Sequence, residues 1–220
     1  MHSFLSGHSR VSNRRRSANT YIIVLLVSAL VTFWAGLVTA EENADSPRKR
    51  LNINLHFYED PALGSLGEVL AMAQDKQGFM WFGGKNGLAR LDGYSIELFQ
   101  HNDADLSSLS TNTVNDLAVD NEGDLWVATY WGLNRYDSKR ERFERFMFDP
   151  EKPRSLSHNS VLHLKYTRTG ELWVGTEGGG LLRFDRSTQD FDRFVFDSDN
   201  PLSLSGNVVS AIEEDSDGFL

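Results

Sequence analysis

Between residues 113 and 148 the chain breaks into four short runs of apolar and polar positions separated by turn residues. "TVNDLAVD" (113 to 120) shows the near-alternation of a half-buried strand, "NEG" turns the chain, and "DLWVAT" (124 to 129), "GLNRYD" (132 to 137) and "RFERFMF" (142 to 148) follow. No run is long enough between its turn signals to favour a helix.

The same pattern recurs along the chain. Gly78, Gly123, Gly170 and Gly218, each closing an Asp-x-x-Gly-like turn, lie 45, 47 and 48 residues apart, and Trp81, Trp126 and Trp173 each follow the turn glycine by three. "GLARLD" begins at Gly87, "GLNRYD" at Gly132 and "GLLRFD" at Gly180. Phe99 and Val114, Phe146 and Val161, and Phe194 and Val209 are each 15 apart, bridged by "SLSTN", "SLSHN" and "SLSGN". A period near 45, with four strands and one tryptophan per unit, predicts an all-β protein, a β-propeller whose small sheets bury both faces against their neighbours.

These repeats resemble the two-component regulator propeller family, the extracytoplasmic sensor domains of bacterial membrane receptors. The resemblance runs from Val69 to the end, and "DNEGDLWVATYWGLNRYD" (120 to 137) meets the family pattern almost throughout. The first blade departs from it at Gly84, where threonine is usual, and the third at Thr167, where the turn aspartate is usual. Such an aspartate bonds the turn backbone with its side chain while glycine supplies the positive φ, so the departures concern blade geometry more than function. The resemblance implies an output domain, a histidine kinase (often hybrid) or a diguanylate cyclase, beyond a membrane crossing in a C-terminal part. For this chain it implies ligand sensing on the periplasmic side of the inner membrane, with no enzymatic activity and no cofactor of its own.

Three complete units and the start of a fourth fall short of the four to eight blades of a closed ring, so the chain is expected to be the N-terminal part of a longer receptor. "NINLHFYED" (52 to 60) reads as a lone outermost strand within a linker spanning residues 41 to 62, with the incomplete propeller over 63 to 220 and exposed strand edges expected. Before residue 41, Arg14-Arg15-Arg16 precedes an apolar run from Tyr21 to about Val38 that ends in "VTA". That order gives either a secretory signal cut after Ala40 or an uncleaved anchor long enough to span a bilayer. Both place residue 41 onward outside the cytoplasm, because the arginines stay inside.

Composition adds two exclusions. The formal charge of −9 hides an acidic body: residues 41 to 220 hold 18 basic against 31 acidic side chains, a net −13, which opposes binding of nucleic acid through its phosphates. With no cysteine, the chain has neither disulfides nor thiolate metal sites.

The remaining motifs have ordinary explanations in the repeat. "EEDSDG" (213 to 218) has the spacing of a calcium-loop start, but the same slots hold Ala73, Asp75 and Gln77 in the first blade, Ala118, Asp120 and Glu122 in the second and Lys165, Thr167 and Thr169 in the third, so the acid set is not kept from blade to blade and a hairpin turn is expected, with no metal. "GTEGGG" (175 to 180) joins two strands, with no helix N-terminus to hold a phosphate. His158 and His163 lack the cysteine pair of a zinc finger and read as loop and strand residues, and the repeated tryptophans read as core.

Function is sought where the repeat is broken. The second-to-third turn of each blade and the link to the next blade emerge on one face, expected to bind the ligand. In that turn Tyr130 and Trp131 stand where the other blades are polar or glycine, and the links add Asp103, Asp105, Lys152, Arg154, His158, Asp197 and Asp199. The candidate ligand-binding residues are Tyr130, Trp131, Lys152, Arg154 and His158, for a small molecule or glycan; a homodimer is a further expected partner. A secreted scaffold binding protein or glycan, or a propeller enzyme, stands as the alternative.

Overall fold

The computed structural model describes residues 60–220. The signal or anchor and, apart from Asp60, the lone strand fall outside the described residues. No helix among the described residues is long and apolar enough to cross a membrane.

Among the described residues, twelve strands form three four-stranded antiparallel sheets, each in simple sequential order. The first blade comprises β1 (Val69–Gln74), β2 (Met80–Gly84), β3 (Gly87–Leu91) and β4 (Ile96–Phe99). The second comprises β5 (Val114–Val119), β6 (Leu125–Thr129), β7 (Gly132–Asp137) and β8 (Arg142–Phe146), and the third β9 (Val161–Tyr166), β10 (Leu172–Thr176), β11 (Leu181–Asp185) and β12 (Asp190–Phe194). These are the expected blades of an incomplete propeller. A five-residue helix, α1 (Pro61–Ser65), was not legible in the pattern; Asp60 caps it by accepting from the Ala62 amide at 2.7 Å, and proline opens it.

Side chains alternate across each strand, so a sheet held between two others needs apolar residues on both faces. β6 shows this most fully, because "LWVAT" is buried at all five positions. Leu125 and Val127 join Trp81, Leu88, Val114, Tyr136 and Phe143 in the core between the first and second blades. Trp126 and Ala128 join Val161, Leu164, Val174 and Phe184 in the core between the second and third.

The turn aspartate does more than shape its turn. Asp120 Oδ1 accepts from the Glu122 and Asp124 amides at 3.0 and 2.9 Å, while Oδ2 accepts from Trp126 Nε1 at 2.8 Å. Asp75 repeats this set with Gln77, Phe79 and Trp81. The third blade's threonine cannot reach the indole, and Glu171 substitutes at 3.4 Å from Trp173 Nε1. The other departure, Gly84, has a steric cause: a Cβ there would lie 2.8 Å from the Leu66 carbonyl oxygen and 2.9 Å from that of Glu68.

The expected fourth blade begins as an extended segment against the third. Gly180 N donates to the Asn207 carbonyl and Val209 N to that of Thr176, each at 2.9 Å, and Ile212 is buried. Only an isolated bridge, Glu177 with Val208, is formed. At the other end of the arc Val69, Leu70 and Met72 of β1 are exposed, as open strand edges were expected to be.

Candidate functional site

The face expected to bind a ligand is built from the links, which are closed loops rather than loose connections. The asparagine of each "SLSxN" accepts from a backbone amide eleven residues earlier: Asn112 from His101, Asn159 from Phe148 and Asn207 from Phe196, each at 2.7 Å. The first serine of each motif accepts another amide, Ser108 from Asn102 at 2.9 Å and Ser155 from Asp149 at 3.0 Å. Leu109 and Leu156 between them are fully buried. Arginines from the outermost strands clamp the loops further: Arg145 holds the carbonyls of Asp105, Ser108 and Leu109, and Arg193 those of Ser155 and Leu156.

The second-to-third turns dock on these links. Tyr130 N donates to the Thr113 carbonyl at 3.0 Å, Gly132 N to that of Asn159 at 2.6 Å and Glu177 N to that of Ser160 at 3.0 Å. Turns and links therefore share one face, as read from the sequence.

The five candidate residues fall in three places, and Arg154 leaves the turn face expected for it, because the second link runs along the edge of β12 and brings Arg154 to Asp185 and Asp190 at the β11–β12 hairpin, the opposite end of the third blade. Tyr130 and Trp131 form the tip of the β6–β7 turn and are 58% and 54% exposed, two aromatic surfaces held on a fixed backbone. Lys152 and Arg154 line a cavity of about 600 Å3 with Phe146, Met147, Leu156 and Phe191. Arg154 lies 2.8 Å from Asp190, 3.2 Å from Asp192 and 3.6 Å from Asp185. The hydrogen bond to Asp190, with the neighbouring carboxylate charges, raises its pKa further. Lys152 stands 3.4 Å from Asp149. His158 lies beside Gly178, and its Nδ1 accepts from the Ser160 amide at 3.1 Å, so it braces its own link.

Other link acids have local work: Asp103 meets His101 Nε2 at 2.9 Å, Asp105 accepts from the Ser107 amide at 2.8 Å and Asp197 from that of Asp199 at 3.0 Å. In "EEDSDG", Glu213 pairs with Lys165, Glu214 with Arg168, and Asp215 accepts from the Asp217 and Phe219 amides as the turn aspartate does elsewhere.

One pair escaped the sequence reading. Each innermost strand carries a bulge at the same place, between Val69 and Ala71, between Val114 and Asp116, and opposite Gly175 and Thr176 in the third blade. An extra residue in a strand re-aims its neighbours, and both Asn115 and Asp116 reach the third blade. Asn115 Nδ2 donates to the Val161 carbonyl at 2.7 Å, and Asp116 Oδ2 lies 2.8 Å from His163 Nδ1 while accepting from Leu164 N at 2.8 Å. His163 Nε2 is 3.3 Å from the Ile212 carbonyl, so the pair joins three consecutive blade segments instead of presenting a base. The available signal was a single slot occupied by Ala71, Asp116 and His163 in turn.

Three segments of the chain, residues 64–86, 108–131 and 155–178, one in each blade, match the model of the two-component regulator propeller family. The solved extracellular domain of a Bacteroides thetaiotaomicron protein described as a hybrid two-component system is 29% identical over 65% of this chain, with a TM-score of 0.59. A second extracellular domain from B. thetaiotaomicron, described as that of a one-component system, is 24% identical over 71% of the chain with a TM-score of 0.57 and shares the fold. The chain covers 20% of the first relative and 23% of the second. No curated protein matches it significantly.

Proposed function

We propose that this chain, built of two-component regulator propeller repeats, is the extracytoplasmic ligand-sensing input domain of a bacterial signal-transduction receptor. The observation that carries this reading is the family match in three successive blades; the likeness to the extracellular domain of a hybrid two-component protein supports it. In this reading the domain works in the periplasm, held to the inner membrane by an N-terminal anchor or a C-terminal crossing, and performs no chemical step. A histidine kinase or diguanylate cyclase in a C-terminal part supplies the output.

The work of the domain is differential binding: a small molecule or glycan that prefers one of two receptor states shifts their populations by the ratio of its affinities. The turn and link face suits that task. Its backbone is locked by the repeated asparagine and serine bonds, so Tyr130 and Trp131 project from a rigid support.

The test is to read the gene beyond the codon for Leu220 and to measure output activity with and without residues 60–220. Further tryptophan-containing repeats, a transmembrane helix and a kinase or cyclase domain are expected, with output losing its response to stimulus on deletion. A stop codon soon after ring closure would replace the sensor with a secreted binding protein or enzyme.

A further inference from the structure

The second blade differs from its neighbours at one buried position. The third residue of "GLNRYD" is Asn134, where "GLARLD" has Ala89 and "GLLRFD" has Leu182. All three are fully buried, yet only Asn134 is polar. A buried side-chain amide needs partners for both its oxygen and its nitrogen.

Asn134 finds them chiefly in the first link. Its Oδ1 accepts from the Ser110 amide and its Nδ2 donates to Ser110 Oγ, each at 2.9 Å, with the Val127 carbonyl 3.4 Å from Nδ2. Ser110 Oγ lies 2.9 Å from Thr129 Oγ1, which is 2.7 Å from the Gly132 carbonyl oxygen. A carbonyl only accepts, so the one hydroxyl proton of Thr129 goes to Gly132, and that of Ser110 goes to Thr129. The bonds therefore run in one direction, from Asn134 through Ser110 and Thr129 to Gly132. Thr129 Oγ1 keeps a second lone pair, and the Trp131 amide donates to it at 3.2 Å. Ser110, Thr129 and Asn134 are all buried, and bonds chained away from water strengthen one another. The chain ends at the β6–β7 turn, which carries the exposed Tyr130 and Trp131.

The third blade shows what the asparagine adds. Ser157, the counterpart of Ser110 in "SLSHN", has its Oγ buried with no hydrogen-bond partner among the described residues, and Leu182 in the asparagine slot can offer none. Thr176 Oγ1 still donates to the Gly180 carbonyl and accepts from the Gly179 amide, but neither bond reaches the link. The first blade has Gly84 in the threonine slot and no hydroxyl to chain. Of the three blades, the one whose turn bears two exposed aromatics is the one whose chain is complete.

We propose that Asn134 is a positioning residue for ligand recognition. Acting through Ser110 and Thr129, it holds the β6–β7 turn in one conformation and presents Tyr130 and Trp131 already ordered, so that less entropy is lost when a ligand meets them. The recognition role rests on the sensor reading; the positioning is measured without any ligand.

The experiment is amide hydrogen exchange on the full chain, resolved by NMR, in Asn134→Leu, which installs the third blade's residue, and in Ser110→Ala, which removes the middle hydroxyl. In both variants the Tyr130 and Trp131 amides are expected to exchange about tenfold faster, while those of Leu125 and Trp126 in β6 and of Glu177 in the third blade keep their rates. Uniform acceleration of all these amides would make Asn134 a residue of general stability and overturn the proposal, as would unchanged rates at the turn. Should Asn134→Leu fail to fold, Ser110→Ala decides it. In the receptor proposed above, Asn134→Leu should raise the half-maximal stimulus about threefold and add nothing to Trp131→Ala, because both act at one turn. Additive effects overturn the recognition role. A response indifferent to Trp131→Ala overturns it too, together with the turn as a ligand site, while the exchange rates still report the positioning.

Discussion

Trp126 and Trp173 hold the same place in successive blades, yet one is completely buried and the other half-buried. Within its own blade each stacks on the phenylalanine of the outermost strand, Trp126 on Phe146 at 5.6 Å and Trp173 on Phe194 at 5.3 Å. Across the seam, Trp126 also meets the edge of Phe184 at 4.8 Å, as Trp81 meets Tyr136 at 5.1 Å. Trp173 has no such partner among the described residues. The burial of this tryptophan belongs to the seam between blades, and the residue alone secures only half of it.

The most direct way to break the comparison is to remove each indole. Trp126→Ala empties a filled seam and should cost about 4 kcal/mol, whereas Trp173→Ala should cost about half as much, about 2 kcal/mol. Urea denaturation of the two variants measures both. Equal losses would mean that the seam adds nothing to the packing within a blade.

The two departures from the repeat pattern sharpen the comparison in opposite directions. Gly84→Thr restores the usual residue but drives its side chain into the Leu66 and Glu68 carbonyls, and should cost about 2 kcal/mol. Thr167→Asp restores the acceptor that Asp120 provides for Trp126, where Trp173 now has only a 3.4 Å contact with Glu171. It should stabilise by about 0.5 kcal/mol, since one hydrogen bond is improved at a site still open on one side. Thermal melts of both variants decide whether the repeat pattern or the local contacts govern each position.

The residues that announced the fold did so through local chemistry. Gly78, Gly123, Gly170 and Gly218 have φ between +89° and +92°, so a turn that needs glycine repeats visibly in the sequence. The apolar run of β6 was equally legible, because a strand buried on both faces has no polar alternate. What stayed hidden lies across seams: the Arg145 clamp and the Asp116–His163 pair join residues 36 to 47 apart whose meeting depends on how one blade rests on the next. The repeat describes each blade and leaves unstated what the neighbouring blade brings to it. α1 was missed for another reason, since five residues are too few for a helical period to show.

Trp131 completes the contrast, as a tryptophan with no seam at all. Its amide is tied to Thr129 Oγ1 at 3.2 Å, but the residue is 54% exposed and belongs to neither core. Trp131→Ala should therefore shift stability by less than about 0.5 kcal/mol, the smallest effect of the series. In the receptor proposed above, the same substitution should lower the response to stimulus about tenfold, because an exposed aromatic on a rigid turn contributes contact area that costs little ordering entropy. A dose-response curve of output activity, read beside a denaturation curve of the variant, separates the two quantities. Loss of response with unchanged stability places the ligand on the β6–β7 turn; unchanged response confines recognition to the links and their cavity.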